Sequence, residues 1–466
     1  MEARTPLPAL VLTALASIST QASNADETPA VLHRVLPPLS HSATPVTLRD
    51  NLIGFEGKLA DVRLFGFRTL RLERHYIVSR LGIEIGAPLN IAELQQSLRR
   101  LARDPRIARL DAELTPAIQP GSFNLNLGIE EAPRYHGGLS LDNSRSPSIG
   151  EIHLGGWWRD GNVSRRGDAL TLRLGVTEGL KDGGLNYVLP VSHRDDSLTL
   201  SGSHSESAII EEPFDVINIT STTDSLGVQY ESPLIRTGSG TLAAALALEK
   251  RRSKSLLDGQ PFQFSPGANN GVARVTVLRA ILSWLHQTSH SVLAIRSRLS
   301  SGLKAFDATD NRGDAPDGRF LAWFGQFQWV RRIGKTDWVL RLEAQRSRDK
   351  LLALEKYGLG GAHSVRGYRE NLFVRDQGWL SSIEGRYRLK GGQLQLALFY
   401  DAGAARNLGA GRGDERLASL GLGLRARLPS GLAARIDWGR PLKSIDIGPN
   451  RRLQDNGLHF SLEYRF

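Results

Sequence analysis

The chain has no cysteine and a single methionine among its 466 residues. The absence of cysteine excludes disulfide bonds and thiolate metal sites. Long apolar runs are also missing, because no stretch approaches the ~20 consecutive residues of a transmembrane helix. A transmembrane β-barrel shows the same low hydropathy, since each of its strands is apolar on one face only. These absences leave two classes open, a soluble protein and a membrane barrel.

Positive charge is in moderate excess, with 59 Lys and Arg against 48 Asp and Glu and a formal net charge of +11. A basic chain can bind nucleic acid when its cations gather in one patch or stripe. Here the cations are spread along alternating segments and loops. The charge pattern therefore does not favour a nucleic-acid partner.

The N-terminus, residues 1–25, is typical of a secretory signal peptide. A basic residue precedes the apolar run 7–18, and small residues follow it, so cleavage fits after Ala25 or after Ala22. A short buried helix is the alternative. Export is favoured because the next stretch, 26–59, is rich in proline and polar residues and is a linker by composition.

Residues 60–133 predict a compact α+β unit. A first helix is predicted at 72–81. Asn90 followed by Glu93 is a capping-box pattern for a second helix, which Pro105 ends. The predicted order is strand, helix, helix, strand, strand, with the strands at 61–67, 107–118 and 123–129.

From residue 134 to residue 466 the pattern changes to a period of two. In one example, Leu394, Leu396, Leu398 and Tyr400 share one face, and polar residues occupy much of the other. About sixteen such segments follow one another, each near the ~9–11 residues of a membrane strand. The predicted fold class is an all-β transmembrane barrel of about sixteen antiparallel strands, preceded by the small α+β domain.

Connections between these segments alternate in length, as in outer-membrane barrels. Short turns are predicted at 389–394 and 428–432, and long loops at 251–270, 301–318, 349–377 and 439–456. A soluble β-sandwich or propeller is the alternative. It does not explain why leucine fills one face of the strands while arginines stand on the other.

Aromatic residues support the barrel. Tryptophans near strand ends predict an aromatic girdle: Trp157, Trp158, Trp323, Trp329, Trp338 and Trp379. The last strand is apolar and contains Tyr464 and the terminal Phe466, which we interpret as a C-terminal barrel signal.

The predicted loop 349–377 is rich in glycine and carries Arg366. By strand alternation, Asp401 and Glu384 point into the lumen. A loop arginine could bind either carboxylate, because its planar fork makes two parallel hydrogen bonds. The alternative is a solvated loop charge, and the spacing alone leaves both open.

These residues resemble the motifs of a known family, the outer-membrane transporters of two-partner secretion (TpsB). They are the haemolysin secretion/activation proteins such as ShlB, FhaC and HecB, within the superfamily of BamA-like barrels. The V-R-G-Y/F loop motif is matched by Val365, Arg366, Gly367 and Tyr368, and the F-x-D-x-G strand motif by Phe399, Asp401 and Gly403. Leu141, Asp142 and Asn143 are similar to the start of the family's first barrel strand, and residues 167–170 to its G-D-x-L strand.

The resemblance implies a fold, a location and a function. Arg366 and Asp401 would form a lock inside the pore, with the loop between strands eleven and twelve. Residues 60–133 would be a POTRA domain in the periplasm, of which the family usually has two. The protein would be a monomer in the outer-membrane lipid of a Gram-negative bacterium. It would secrete and activate a TpsA-type exoprotein of haemolysin or adhesin type, bound by strand addition at the edge 107–118.

Other functions remain as alternatives. A BamA-like factor that assembles other barrels normally has more N-terminal units, and a passive porin would not need residues 60–133. No metal cluster, phosphate loop or nucleophile motif predicts an enzyme, a metal or another cofactor. The sequence does not identify the exoprotein.

Overall fold

The computed structural model describes residues 47–48, 57–66, 70–192, 194–409, 413–446 and 452–466. The predicted signal peptide and most of the predicted linker lie outside these ranges. Within them the chain forms an α+β unit followed by a closed barrel. No helix of the described part is long and apolar enough to cross a bilayer.

The α+β unit is a four-stranded sheet with two helices. In chain order its elements are β1 (Thr47–Leu48), β2 (Lys58–Gly66), α1 (Arg74–Leu81), α2 (Ile91–Leu101), β3 (Ile107–Pro116) and β4 (Ser122–Glu131). The sheet order is β1-β3-β4-β2. The strand, helix, helix, strand, strand order predicted for this region is present, although α1 begins two residues later than predicted because Glu73 occupies its N-cap.

Local signals explain the second helix and its packing. The Asn90 side chain accepts hydrogen bonds from the backbone N–H groups of Ala92 and Glu93, as an N-cap does. Leu94 and Leu98 share one face of α2 and are buried in the core of the unit. The apolar period of the sequence therefore sets which face meets the sheet.

The outer edge of β3 is partly occupied, contrary to the prediction that it offers a free edge. Thr47 and Leu48 of β1 pair in parallel with Asp111 and Ala112 of β3. An open edge leaves N–H and C=O groups without partners, and a neighbouring segment of the chain satisfies some of them. A two-residue strand has no detectable period, so the sequence did not reveal it.

Sixteen antiparallel strands close the barrel, together with the two-residue strand β12. The strands of the barrel and of its loops are β5 (Tyr135–Asp142), β6 (His153–Asp160), β7 (Ala169–Val176), β8 (Leu180–Pro190), β9 (Ser197–Ala208), β10 (Ile219–Arg236), β11 (Gly240–Leu257), β12 (Gln260–Pro261), β13 (Val272–Gln287), β14 (Ser291–Leu303), β15 (Leu321–Ile333), β16 (Thr336–Ser347), β17 (Tyr357–Leu359), β18 (Phe373–Arg375), β19 (Gln377–Leu389), β20 (Leu394–Arg406), β21 (Glu415–Arg427), β22 (Leu432–Pro441) and β23 (Leu458–Arg465). Short 3₁₀ turns lie at Pro147–Ile149, Asp215–Ile217, Ala353–Glu355, Lys390–Gly392 and Gln454–Asn456.

The barrel closes where its last strand meets its first. Strand β23 pairs with β5, from Ser461 opposite Asp142 to Arg465 opposite Gly138. The backbone of Phe466 extends this seam, since it exchanges two hydrogen bonds of 3.0 Å with Gly137. Asp142 therefore ends the first strand, which begins at Tyr135, and the resemblance placed it at the wrong end.

Strand lengths vary more than predicted, from 8 residues in β5 to 18 in β10 and β11. The longest strands continue past their apolar part into polar positions such as Asp224, which stands opposite Arg252. The predicted loop 251–270 consequently begins only after Leu257. Such charged residues do not interrupt a strand where it leaves the bilayer.

The two ends of the barrel differ, as predicted. The short-turn end holds the connections 161–168, 191–196, 237–239, 288–290, 334–335, 390–393 and 428–431. The long-loop end holds the longest connections, 258–271, 304–320, 348–376 and the described residues 442–446 and 452–457, although the connection 177–179 is short. The α+β unit lies at the short-turn end, where Arg80 of α1 is 3.2 Å from Asp195.

The outer and inner faces of the strands follow the predicted alternation. On β20, Leu396 and Leu398 are 50% and 56% exposed on the outer face, whereas Phe399 and Asp401 are buried inside. The prediction that Trp157 belongs to the aromatic girdle is wrong, because Trp157 shares the inner face of its strand with His153. Four of the predicted girdle residues are exposed on the outer face: Trp158, Trp323, Trp338 and Trp379.

If the outer face meets lipid, a charge there is costly in proportion to its depth. Leu398→Arg places a cation near the middle of β20, and we expect a loss of about 2–4 kcal/mol in the free energy of unfolding. Leu428→Arg, beside a short turn, is the matched control with an expected loss of about 0–1 kcal/mol. Denaturant unfolding in lipid vesicles measures both, and equal losses would contradict a lipid-facing surface.

Candidate functional site

A long segment connects the eleventh and twelfth strands of the barrel, β16 and β19. We call residues 348–376 the lumenal loop, because they fold back inside the barrel. Its short strands β17 and β18 pair with each other. Val365 and Tyr368 are buried in an apolar cluster with Leu380 and Leu417 of the barrel wall. The loop is therefore a packed part of the interior.

The Arg366 side chain of this loop binds Asp401 of β20 through a bidentate contact. Its Nε donates to Oδ2 at 2.7 Å, and its Nη2 donates to Oδ1 at 2.9 Å. The backbone N–H of Arg366 also donates to Asp401 Oδ2 at 3.1 Å. Arg366 is 3% exposed and Asp401 is 0% exposed. Two parallel bonds in a buried site are the geometry for which arginine is suited and lysine is not.

Arg366 contacts other groups of the wall. Its Nη1 donates to Glu384 Oε2 at 2.6 Å and lies 3.7 Å from Asp437 Oδ1. Its guanidinium carbon is 3.4 Å from the centre of the Phe399 ring, a cation–π contact. One loop cation thus faces three carboxylates, carried by β20, β19 and β22.

Wall arginines offset this excess of negative charge. Arg425 Nη2 lies 3.1 Å from Glu384 and 2.7 Å from Asp437, and Arg386 Nε lies 2.6 Å from Glu384. Burial alone would lower the pKa of the Arg366 guanidinium, but its hydrogen bonds to Asp401 and the nearby carboxylates raise it above its usual value. Arg366 therefore stays charged, and its release requires separating charges.

The next residues of the motif fit tightly against the last strands. Gly367 has a φ of +93° and donates its N–H to His459 Nε2 at 2.9 Å. A Cβ on Gly367 would lie 2.6 Å from the carbonyl oxygen of Gly439, so only glycine fits here. The Tyr368 hydroxyl lies 3.0 Å from the carbonyl oxygen of Ala418. The loop motif is thus matched to the wall in both charge and shape.

The structure brings together the residues predicted from the two motifs. Arg366 contacts Phe399, Asp401 and Glu384, and Val365 lies beside Gly403. Gly367 and Tyr368 instead contact the neighbouring part of the wall, at Gly439 and Ala418. Gly403 leaves space for the loop, since a Cβ there would lie 2.6 Å from a methyl carbon of Leu359. Tyr464 and Phe466 are not part of this site, because their rings lie on the outer surface with centroids 6.0 Å apart.

Several partners of the loop were not predicted. Asp437 and His459 approach Arg366 and Gly367 from the last two strands. Arg369 binds Asp455 and Glu211, which belong to other connections at the long-loop end. Strand alternation indicates which side chains face the lumen, but it does not show which strands a loop reaches.

Two further wall residues bind the first part of the loop. Glu355 lies 2.9 Å from Arg279 of β13 and 3.1 Å from Arg251 of β11. No sequence motif marks them. Elsewhere in the loop, burial raises the pKa of Glu370 to about 8, so this carboxyl is largely protonated at neutral pH. Among the described residues, no group of three His, Asp or Glu side chains is arranged to hold a metal ion.

A comparison with protein families identifies the family of this chain. The profile of the haemolysin secretion/activation proteins ShlB/FhaC/HecB matches residues 121–426, more than half of the chain. The chain belongs to this family. The family consists of secretion channels rather than known enzymes, and the barrel together with its outer-membrane relatives places the protein in the outer membrane.

Curated relatives are distant. The chain is 24% identical over 347 residues to the outer membrane transporter CdiB of Dickeya dadantii strain 3937, covering 69% of this chain and 57% of that protein. It is also 24% identical over 347 residues to CdiB of Escherichia coli O6:K15:H31 strain 536, covering 69% and 55%. The alignment thus spans little more than half the length of these relatives.

Solved structures share the fold of this member of the family. CdiB from Acinetobacter baumannii has a TM-score of 0.69 at 17% identity, covering 88% of this chain and 74% of that one. CdiB from Escherichia coli has a TM-score of 0.65 at 17% identity over the full length of both chains. BamA from Haemophilus ducreyi lacking POTRA domains 1–3 has a TM-score of 0.61 at 12% identity, covering 88% and 85%.

Removing the arginine of the loop leaves Asp401 and Glu384 buried without their partner. We therefore expect Arg366→Ala to lower the free energy of unfolding by about 3–5 kcal/mol. Arg366→Lys keeps the charge without the fork and falls between that variant and the native protein. Arg416→Ala, at a side chain that is 77% exposed, is the control, with an expected change within about 0.5 kcal/mol. Equal losses for Arg366→Ala and Arg416→Ala would contradict the role of the buried contact.

Proposed function

We propose that the protein is an outer-membrane translocator that secretes and activates a partner exoprotein by two-partner secretion. The observation that carries the proposal is the loop of the V-R-G-Y motif inside a closed barrel, held by a buried arginine, in a chain that belongs to the haemolysin secretion/activation family. A passive porin needs neither this fastened loop nor the α+β unit. We propose no catalytic step.

The two ends of the barrel give the direction of transport. We assign the short-turn end and the α+β unit, residues 60–133, to the periplasm, and the long-loop end to the cell surface. Such barrels have short turns on the periplasmic side and long loops on the extracellular side. In this orientation the α+β unit acts as the POTRA domain that receives the exoprotein. The closure of the barrel within one chain supports a monomer.

Capture of the exoprotein would use the sheet edge at β3. An extended segment can add to an exposed edge through main-chain hydrogen bonds. Strand β1 already pairs there with Asp111 and Ala112, in parallel. An exoprotein segment that pairs along the whole edge must therefore displace β1, and the short length of β1 makes that exchange inexpensive in hydrogen bonds.

Transport requires the lumenal loop to move. The exoprotein arrives unfolded, and the lumen that it must cross contains the loop with its Arg366–Asp401 contact. Folding of the exoprotein outside the cell then draws the chain forward without ATP. The contact is reversible because each charge, once released, can be solvated in a water-filled pore.

A second candidate is a BamA-like assembly factor, which the fold similarity to BamA allows. It is less favoured, because the family match is to secretion proteins. The two functions differ in which proteins depend on this one.

Comparative proteomics separates them. Deleting the gene should remove one or two large proteins from the medium and leave the outer membrane unchanged. A copy of the gene that carries Arg366→Ala should return the barrel to the membrane of the deletion strain without restoring secretion. A copy that carries Arg416→Ala is the control and should restore secretion. Normal secretion by Arg366→Ala would refute the lock. Loss of many barrels from the membrane with an intact medium would favour the assembly factor.

The proposed capture site can be closed covalently, since the chain has no cysteine to compete. Thr47→Cys with Asp111→Cys joins β1 to β3 at directly paired positions. Cα atoms of paired residues lie within the range that a disulfide spans. We expect secretion to stop under oxidising conditions and to recover with a reductant, while Asp111→Cys alone secretes throughout. Unimpaired secretion by the oxidised pair would contradict capture at this edge.

A further inference from the structure

Glu355 lies on the 3₁₀ turn Ala353–Glu355, near the start of the lumenal loop. Its carboxylate is held by two arginines of the wall. Arg279 donates through Nη2 to Oε1 at 2.9 Å and through Nη1 to Oε2 at 3.1 Å. Arg251 donates through Nη1 to Oε1 at 3.1 Å and to the carbonyl oxygen of Leu354 at 2.6 Å. Arg279 thus makes a bidentate contact with the carboxylate, and Arg251 adds a third hydrogen bond to it.

The Glu355 site is buried, although slightly less completely than the Arg366 site. Arg279 and Arg251 are 1% and 3% exposed, and Glu355 is 9% exposed. Glu249 of the wall binds Arg279 Nε at 2.8 Å. The wall therefore contributes two cations and one carboxylate at this place, and the loop carboxylate balances the remaining charge. Arg298 is the next cation and lies over the Phe324 ring, 4.9 Å from its centre.

The two contacts of the loop lie on different parts of the wall. Arg251 and Arg279 are on β11 and β13, the seventh and eighth strands of the barrel. Asp401 and Glu384 are on β20 and β19, the thirteenth and twelfth strands. Along the chain, β17 lies between Glu355 and Arg366, and its partner β18 follows Arg366. The loop is thus fastened on either side of this small sheet, to two separate parts of the wall.

We propose that Glu355 is a second anchor of the lumenal loop, a positioning residue that holds the loop on β11 and β13 independently of Arg366. Its part in transport rests on the proposed function, whereas the anchoring itself does not. Opposite charges fasten the two ends: the loop supplies the anion at one and the cation at the other. Loss of Arg366 alone therefore leaves the Glu355 end in place, and passage of an exoprotein requires both contacts to open.

The test uses the full-length protein in lipid vesicles and an introduced thiol. Ala353→Cys places the thiol beside the second anchor, where Ala353 is 8% exposed, and the chain has no other cysteine. The rate at which a small water-soluble reagent labels this thiol reports release of that end. Glu370→Gln is the matched control, because Glu370 is an equally buried loop glutamate whose Oε2 accepts the N–H of Ala362 in the same loop.

We expect Glu355→Gln to raise the labelling rate by at least about tenfold, as for the loss of a buried charge partner. Glu355→Asp, which retains a carboxylate, should stay closer to the native rate. Arg366→Ala should leave the rate nearly unchanged, and the double variant should label fastest. Heat-modified gel mobility checks in each case that the barrel is folded.

Two results would overturn the second anchor. In one, Glu355→Gln labels at the rate of the Glu370→Gln control. In the other, Arg366→Ala alone exposes the thiol as much as Glu355→Gln, which would mean that one contact holds the whole loop. Secretion is measured separately in a strain that makes the exoprotein. If Glu355→Gln raises the labelling rate as expected but leaves secretion unchanged, the anchor is supported and its part in transport is refuted.

Discussion

The burial of Arg366 against Asp401 and Glu384 is the interaction on which the interior of this protein depends. A cation and its carboxylates in a solvent-free site are stable only if every partner is present, and the loss of one costs several kcal/mol. The wall meets this condition by placing inward carboxylates on β19, β20 and β22. Phe399 covers the guanidinium, and Gly367 and Gly439 allow the backbones to approach.

A contact of this kind suits a part that must hold and then release. Its strength comes from low exposure, so in the proposed function an exoprotein that admits water to the lumen weakens it. Ion pairs at both ends of the lumenal loop share this property, whereas an apolar contact would not weaken when wetted in the same way. The outer face of the barrel is separate from this chemistry, because exposed leucines such as Leu398 and Leu422 occupy it.

Much of the architecture could be predicted from the sequence. The change to a period of two at residue 134 and the alternation of loop lengths predicted a barrel of about sixteen strands, and the fold is confirmed. The family motifs, rather than spacing, predicted which residues the lock would contain, and Arg366 does lie against Asp401; the function of that contact stays a prediction. Alternation of strand faces correctly placed Asp401 and Glu384 in the lumen.

What could not be predicted involves contacts between distant segments. Glu355 and Arg279 meet only because the loop crosses the lumen, and β1 covers the edge of β3 with two residues that have no period. Strand ends were also missed, since β10 and β11 continue through charged positions beyond the apolar band. Local pattern determines the face of a residue, whereas these features depend on where the chain folds back.

Hydrogen exchange at the lumenal loop shows whether the Arg366 contact opens during transport, because the amides of Arg366 and Gly367 donate to Asp401 and His459. It would be measured on the resting translocator and on one in which an exoprotein is stalled during export. We expect strong protection of the segment 360–370 at rest and its loss in the stalled complex. Equal protection in both states would show that the loop stays in place during transport and would refute release of the Arg366 contact.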